Sequence, residues 1–143
     1  MTRYVVDASV AVKWFVPEEL TQEALGYLRD DHELLIPDLL WSEFSNILWK
    51  KVRRGELIPA EATQILSLCR QVPFQVAESM DLIDSALAIA LRLDRTVYDS
   101  VYLALAAQRD CAMVTADRRL FNAVKSGPLS MYIMHLAEAS AEG

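Results

Sequence analysis

Three aspartates in this chain fall where short apolar segments end or helical segments begin. Asp7 directly follows the run Tyr4-Val5-Val6. Asp117 follows the apolar run 112–114 after two small residues, and Asp99 stands at the start of an Ala- and Leu-rich segment. Carboxylate oxygens are ligands that Mg²⁺ prefers, and carboxylates that are brought together repel one another unless a cation neutralises them. If the fold gathers them, these three carboxylates could hold a divalent cation.

A fourth acid, Glu43, differs from the others because it lies inside a predicted helix. It borders the apolar stripe formed by Leu40, Phe44 and Ile47. Asn46 follows three residues later, so both polar side chains point to roughly the same side of that helix. A carboxylate beside an apolar stripe needs a partner, although a solvated flank is an equally simple interpretation.

The aspartates also have a purely structural interpretation. Asp7, Asp99 and Asp117 all stand at the predicted starts of helices, where Asp is a preferred cap and interacts favourably with the helix dipole. Taken one at a time, each of these residues is better explained as a cap. Only the joint pattern of the four acids favours a common site.

Short apolar strands alternate with helices along the chain, which predicts parallel βαβ units in a three-layer α/β/α fold. The central sheet is expected to be short and mostly parallel, with about five strands. The predicted strands are 4–6, 34–36, 74–76, 112–114 and 131–134, and the predicted helices are 8–15, 18–30, 38–54, 59–70, 80–93, 97–109 and 117–125. Ligands bind outside the carboxyl ends of the strands in such sheets, and Asp7 and Asp117 fall there.

Length, charge and cysteine content limit the number of domains, the cellular compartment and the kinds of partner that the chain can have. The 143 residues form one domain, at about 100–200 residues per domain, and a tail from about residue 136 is expected to fray. The net charge of −6 argues against a protein that coats nucleic acid by bulk charge. Neither a signal peptide nor a membrane span is recognisable, and Cys69 and Cys111 lack metal-ligand spacing. A cytoplasmic protein with reduced thiols is expected.

Four blocks of sequence contain the acids. In chain order they are Tyr4-Val5-Val6-Asp7-Ala8-Ser9, then Pro37-Asp38-Leu39-Leu40-Trp41-Ser42-Glu43 with Asn46 and Leu48, then Val97-Tyr98-Asp99-Ser100-Val101-Tyr102-Leu103-Ala104-Leu105-Ala106, and finally Val114-Thr115-Ala116-Asp117. Each block alone is a weak signal. Together, in this order and spacing, they resemble the PIN-domain ribonucleases, in particular the VapC-type toxins of type II toxin–antitoxin pairs. The resemblance covers essentially the whole chain, with Ser100 as a mild departure from the more frequent Ala.

This resemblance implies a single PIN domain over residues 1–143, with a PIN-like fold and a divalent-metal-dependent endoribonuclease activity that uses Mg²⁺ or Mn²⁺. It implies that Asp7, Glu43, Asp99 and Asp117 form the catalytic and metal-binding site. Asp7 and Asp99 are expected to bind the metal directly, and Asp117 to lie close to it. Glu43 would bind a second ion or orient the attacking water.

Four further residues are expected to support the site or to bind substrate: Ser9, Asn46, Thr115 and Arg118. Ser9 and Thr115 are placed to bond a carboxylate or phosphate oxygen, but a first-turn hydroxyl and strand-end packing remain open as alternatives. The basic run 50–54 is a candidate for holding the RNA, but a solvated helix end is the preferred interpretation. His32 and His135 are interpreted as incidental, and the three tryptophans, Tyr98 and Tyr102 as core or dimer contacts.

The resemblance also implies partners: an RNA substrate, a cognate antitoxin that points a basic side chain at the acids, and a second copy in a homodimer. No membrane is implied. Two alternatives keep the same fold, namely a PIN nuclease of RNA processing or turnover and a catalytically silent PIN-like binding module. A haloacid-dehalogenase-like phosphatase would need an Asp where this chain has Ser9, and the acidic pair and late Lys of a receiver domain are not evident.

Overall fold

The computed structural model describes residues 2–29 and 31–138 and contains a five-stranded sheet. The strand order is β3-β2-β1-β4-β5, and every neighbouring pair is parallel. The strands are β1 (Thr2–Val6), β2 (His32–Pro37), β3 (Gln75–Ala77), β4 (Ala112–Thr115) and β5 (Ile133–His135). The prediction of a short sheet of about five strands, flanked by helices, is confirmed, and the sheet is wholly parallel.

The helices connect the strands. They are α1 (Ala8–Ala11), α2 (Thr21–Leu25), α3 (Leu39–Arg53), α4 (Pro59–Cys69), α5 (Ile83–Leu93), α6 (Val97–Arg109) and α7 (Arg118–Val124). Over residues 2–29 and 31–138, none of these helices combines the length and the apolar character that a membrane crossing requires.

The strand order reverses beside β1. The chain builds outward from β1 through β2 to β3, then crosses back and places β4 on the other side of β1. In open parallel sheets, a crevice forms outside the carboxyl ends of the strands at such a point. Val5 and Val6 pair with Met113 and Val114, so β1 and β4 end side by side. Asp7, which follows β1, is therefore brought to the same edge as the residues that follow β4.

Helix α6 is buried on nearly all sides. Because its sequence lacks a continuous polar face, it is expected to be enclosed, and it packs against β1, β2, β4 and α5. Its buried residues run without interruption: Ser100, Val101, Tyr102, Leu103, Ala104, Leu105 and Ala106. This packing fixes the first turn of α6, and with it Asp99, relative to the carboxyl edge of the sheet.

Helix α3 ends as the sequence predicts. Gly55 adopts φ 77°, the left-handed conformation that closes many helices, and its N–H bonds the carbonyl of Val52 at 3.0 Å. Lys51, in the last turn, is only 7% exposed, and its Nζ lies 2.9 Å from Glu18 Oε2. The C-terminal turn of α3 is therefore fixed both by backbone geometry and by a largely buried ion pair.

Several predicted boundaries shift. The helix predicted for 8–15 becomes α1 followed by a 3₁₀ turn at Val12–Trp14. The helix predicted for 18–30 begins only at Thr21, because Leu20 adopts φ 68°, and it ends at Leu25, where a 3₁₀ turn at Gly26–Leu28 follows. Residue 30 of the prediction lies outside the described residues. The last strand begins at Ile133 rather than at 131, because Ser130–Tyr132 form a 3₁₀ turn.

Part of the segment that was expected to fray is packed. Leu136 is fully buried, and its N–H bonds the carbonyl of Thr115 at 2.9 Å. Residues 139–143 of the expected tail lie outside the described residues.

Candidate active site

A pocket of about 430 Å³ opens at the carboxyl edge of β1 and β4. All four predicted acids line it, together with Ser9 and Asn46. The full lining is Asp7, Ala8, Ser9, Leu39, Ser42, Glu43, Asn46, Ile47, Lys50, Tyr98, Asp99, Tyr102 and Asp117. The acids come from four parts of the chain: the end of β1, the middle of α3, the start of α6 and the turn after β4. The fold therefore gathers residues that the sequence separates by up to about a hundred positions.

Asp7 is both a helix cap and a pocket residue. Its Oδ1 accepts hydrogen bonds from the Val10 N–H at 3.2 Å and from the Ser9 hydroxyl at 2.6 Å. The side chain is buried, and this burial raises the pKa of Asp7 from 3.8 to about 6. Bonds from Ser9, Thr115 and Val10 favour the ionised form, whereas the neighbouring Glu43 disfavours it.

Two hydroxyl groups join the ends of β1 and β4. The Ser9 hydroxyl donates to Asp7 and accepts from the Ala116 N–H at 3.0 Å. The Thr115 hydroxyl also bonds Asp7 and accepts from the Asp117 N–H at 3.0 Å. Thr115 is buried behind the pocket rather than lining it. These two side chains therefore fix Asp7 and the Ala116–Asp117 turn relative to each other.

Glu43 is held by a residue from another helix. The Tyr102 hydroxyl donates to Glu43 Oε1 at 2.7 Å. Burial raises the pKa of Glu43, as does the charge of Asp99, whereas the bond from Tyr102 lowers it. Tyr102 is buried, as predicted for a core residue, but it also contacts a predicted site residue.

Asp99 is not a cap, contrary to its structural interpretation. Thr96 caps α6 instead, because its hydroxyl accepts from the Asp99 N–H at 3.1 Å. The Asp99 carboxylate is therefore not used in capping. Burial raises the pKa of Asp99, and the nearby Asp117 raises it further, while Arg95 lowers it. Asp117 does cap a helix, since its Oδ1 accepts from Arg119 and Leu120 at 3.0 and 3.2 Å.

The four acids form a series of like charges. Glu43 raises the pKa of Asp7, Asp99 raises that of Glu43, and Asp117 raises that of Asp99. Within residues 2–29 and 31–138, no group of three or more His, Cys, Asp or Glu side chains could hold a metal ion as it stands. Binding through one or two carboxylates, with water and a phosphate completing the shell, is the usual mode for Mg²⁺. The oxygen donors fit a hard divalent cation in that mode.

Arg118 lies apart from the pocket. Its guanidinium bonds Glu138 at 2.6 Å and lies 5.8 Å from the centre of the Phe121 ring. Arg118 does not line the acidic pocket, and its expected contact with substrate stays a prediction, whereas Asn46 lines the pocket with Glu43.

His135, interpreted as incidental, contacts the turn that carries Asp117. Its Nδ1 accepts from the Ala137 N–H at 2.9 Å, which leaves the proton of a neutral ring on Nε2. Nε2 lies 3.3 Å from the carbonyl of Ala116, the residue before Asp117. His135 therefore ties β5 to the turn after β4.

Two pocket residues were not predicted from the sequence. Lys50 follows Glu43 and Asn46 at a spacing of seven and four residues, which places all three on one face of α3. Tyr98 precedes Tyr102 by four residues on α6. The helical spacing within each of these two sets was a usable signal. It does not reveal that these faces of α3 and α6 oppose each other across a pocket.

Known proteins share this sequence pattern and fold. The sequence model of the PIN-domain family matches residues 4–126 of this chain. Ribonuclease VapC3 of Pyrobaculum aerophilum is 36% identical over 120 residues, or 82% of this chain and 92% of that protein. The crystal structure of PAE2754 from P. aerophilum gives a TM-score of 0.66 at 26% identity, covering 95% of this chain and 85% of the other. A toxin–antitoxin complex from Klebsiella pneumoniae gives 0.62 at 14% identity, covering 95% and 99%. The chain belongs to the PIN-domain family, among the homologues of the VapC ribonucleases.

Proposed function

We propose that this protein is a divalent-metal-dependent endoribonuclease that hydrolyses phosphodiester bonds of RNA, and that it is the toxin of a toxin–antitoxin pair. The observation that carries the proposal is the meeting of Asp7, Glu43, Asp99 and Asp117 around one pocket at the reversal of strand order. The relative VapC3 is named a ribonuclease, and it matches most of both chains.

The proposed cofactor is Mg²⁺ or Mn²⁺. Asp7 and Asp99 would bind it directly, with Asp117 close by, while Glu43 would bind a second ion or orient the attacking water. When bound, the cation supplies Lewis-acid polarisation of the phosphoryl group and offsets the mutual repulsion of the carboxylates. The cation is needed because three of these acids have raised pKa values and crowd one another.

The chain's own residues have two tasks in this proposal. Ser9 and Thr115 hold Asp7 in one orientation through their hydroxyl groups. Tyr102 holds Oε1 of Glu43, which leaves Oε2 to accept a proton from the attacking water. Asn46 lies beside Glu43 in the same pocket and would bind the substrate or the carboxylate. Arg118 lies outside this pocket and is paired with Glu138 at the surface, so a contact with substrate would require it to exchange that exposed partner for a phosphate.

The proposed activity is tested with purified protein and labelled RNA, both single-stranded and folded into hairpins. Cleavage is expected with Mg²⁺ or Mn²⁺ and is expected to cease in excess EDTA. Asp99→Asn should abolish cleavage, whereas Asp94→Asn, an equally small change in the turn between α5 and α6, should not. Undiminished cleavage by Asp99→Asn or in EDTA would contradict the site.

Two protein partners complete the proposal. An antitoxin would place a basic side chain among the acids, and the similar fold from K. pneumoniae is described as part of a toxin–antitoxin complex. A homodimer is supported by an exposed apolar stripe at Met80, Ile83, Leu87 and Leu91, along α5 and the turn before it. Light scattering of wild type and of Leu87→Lys tests the dimer, since the variant should be monomeric.

A further inference from the structure

We propose that the RNA strand leaves the acidic pocket over the C-terminal end of α3, where Lys50, Arg53 and Arg54 bind successive phosphates and Trp49 stacks on a base. This inference rests on the proposed ribonuclease function and adds the path of the substrate. It assigns a role to four surface residues that the proposed hydrolysis itself does not use.

Lys50 connects two neighbouring depressions on the surface. It lines the acidic pocket, and it also lines a shallow depression of about 330 Å³ whose other lining residues are Trp49, Arg53 and Arg54. A strand whose scissile phosphate lies among the acids can therefore pass over Lys50 into the second depression. Lys50 is the one basic residue that lines the acidic pocket among the described residues.

The basic run at this helix end divides into two kinds of residue. Lys51 is buried and engaged with Glu18 at 2.9 Å and with Glu56 at 3.5 Å. Lys50, Arg53 and Arg54 are exposed and form no salt bridge with any residue that the structure describes. The helix dipole favours cations at a C-terminus, but it does not explain why these three lack acidic partners in a chain of net charge −6. Three unpaired cations on one surface provide a site for a polyanion.

Trp49 adds an apolar surface that suits a nucleobase. Its side chain is 53% exposed, although Trp14 of the same chain is buried, and the Arg53 guanidinium lies 5.1 Å from the centre of the Trp49 ring. Aromatic rings beside arginines are the usual stacking platforms for single-stranded nucleic acid. Trp49 also borders an apolar groove with Leu48 and Leu66, where a protein could dock, but the adjoining cations favour RNA.

The spacing of the basic residues suits a contact with only a few phosphates of the RNA. Lys50 and Arg53 lie about one helical turn apart, ~5 Å along the axis, so their long side chains can reach neighbouring phosphates of one strand. Three phosphate contacts predict a slope of about −2 in a plot of log affinity against log salt concentration, at roughly 0.7 per contact for single strands. A slope this shallow is consistent with a protein whose overall charge is negative.

The test measures binding of a labelled single-stranded RNA to the Asp99→Asn protein in Mg²⁺, across a series of KCl concentrations. In that background, Arg53→Ala with Arg54→Ala should weaken binding by about tenfold and reduce the salt slope by about 1.4. Trp49→Ala should weaken binding by about 5- to 100-fold, whereas Trp49→Phe should retain most of the affinity. Arg109→Ala is the control, because Arg109 lies at the far end of α6, ~15 Å along the axis from residue 99.

Two results would overturn the inference. One is unchanged affinity and salt slope in the Arg53→Ala/Arg54→Ala and Trp49→Ala proteins while the otherwise wild-type chain still cleaves RNA, which leaves the proposed function intact. The other is a Trp49→Ala protein that binds RNA normally but no longer binds the antitoxin, which assigns the surface to a protein partner. Absence of both cleavage and RNA binding in wild type would refute the proposed function and the inference together. Far-ultraviolet circular dichroism confirms that each variant is folded.

Discussion

The hydroxyl of Tyr102 donates a 2.7 Å hydrogen bond to Oε1 of Glu43, a residue 59 positions earlier in the chain. The bond joins α3 to α6 at the edge of the acidic pocket. Because it stabilises the ionised form of Glu43 against the effect of burial, Tyr102 influences both the orientation of this carboxylate and its affinity for a proton. A residue that is part of the core thereby acts on the proposed chemistry.

Tyr102→Phe should shift the pH dependence of RNA cleavage. Removing the hydroxyl removes the contact that lowers the pKa of Glu43, so the acidic limb of the rate profile should move to higher pH. At fixed neutral pH, kcat should fall by about tenfold or more, because positioned proton transfer contributes roughly 10²–10⁴-fold. KM should change little. Tyr98→Phe, at an exposed residue of the same pocket, is the matched control. A profile that coincides with wild type would show that the bond has no part in the reaction.

The metal-free protein should lose stability as the pH rises from about 4 to about 6. The pKa of Asp7 is raised from 3.8 to about 6 in the folded state, so the folded protein binds this proton more tightly than the unfolded chain does. Ionisation of Asp7 then costs up to about 3 kcal/mol of folding free energy. Asp7→Asn should therefore raise the urea midpoint at pH 7 in EDTA, with less effect at pH 4.

The urea midpoint of Asp7→Asn reports on the charge of residue 7, because the cap at the start of α1 should survive the substitution. Asn can accept the hydrogen bond from Val10 as Asp7 does, so the helix start is retained in the variant. Asp84→Asn, at an exposed acid, should leave the urea midpoint unchanged. Addition of Mg²⁺ should stabilise wild type but not Asp7→Asn. A midpoint for Asp7→Asn that is equal to or below wild type at pH 7 would show that ionised Asp7 does not destabilise the metal-free protein.

Ser9→Ala should increase the Mg²⁺ concentration needed for half-maximal cleavage. The substitution removes a bond that favours ionised Asp7 and leaves the N–H of Ala116 without its hydroxyl acceptor. Ser9→Thr, which retains the hydroxyl group, should stay close to wild type. Ser42→Ala is the matched control, because it removes another hydroxyl group of the same pocket and should leave the Mg²⁺ requirement unchanged. Equal Mg²⁺ requirements in all four proteins would limit Ser9 to a packing role.

Production of the wild-type protein in a bacterial host without its antitoxin should arrest growth, because RNA cleavage would then be unopposed. Asp99→Asn should permit growth at equal protein levels, and Asp94→Asn should arrest it. Growth is followed by optical density together with immunoblots of the soluble protein. Normal growth in the presence of soluble, active wild type would favour a nuclease of RNA processing or turnover over a toxin.

The sheet could be predicted because its strands are buried on both faces. Tyr4-Val5-Val6 and Met113-Val114 are apolar runs without alternation, which is typical of parallel strands, and both are buried in the structure. Positions of the acids at strand ends then followed from topology. The 3₁₀ turns at Val12–Trp14 and Ser130–Tyr132 were not foreseen, because short 3₁₀ segments carry no distinctive sequence pattern.

Side-chain partners were harder to predict than positions. Asp99 was interpreted as the cap of α6, but Thr96, three residues earlier, caps the helix. A Thr followed three residues later by an acid is a known sequence pattern of a helix start, and this signal was not used. The pairing of Arg118 with Glu138 could not be inferred, because it depends on how the chain returns after β5. The bond between Tyr102 and Glu43 likewise depends on the packing of α3 against α6 across the pocket.

The hydroxyl bridge from Ser9 to Ala116 has a consequence for synthesis of the protein. It spans 107 positions, and β4 must pair with β1 before the bridge and the Asp117 side of the pocket exist. A growing chain on the ribosome therefore carries Asp7 and Glu43 long before it carries a complete set of acids. The nuclease that we propose would therefore remain inactive until β4 has emerged and paired with β1 and Asp117 has joined the other acids.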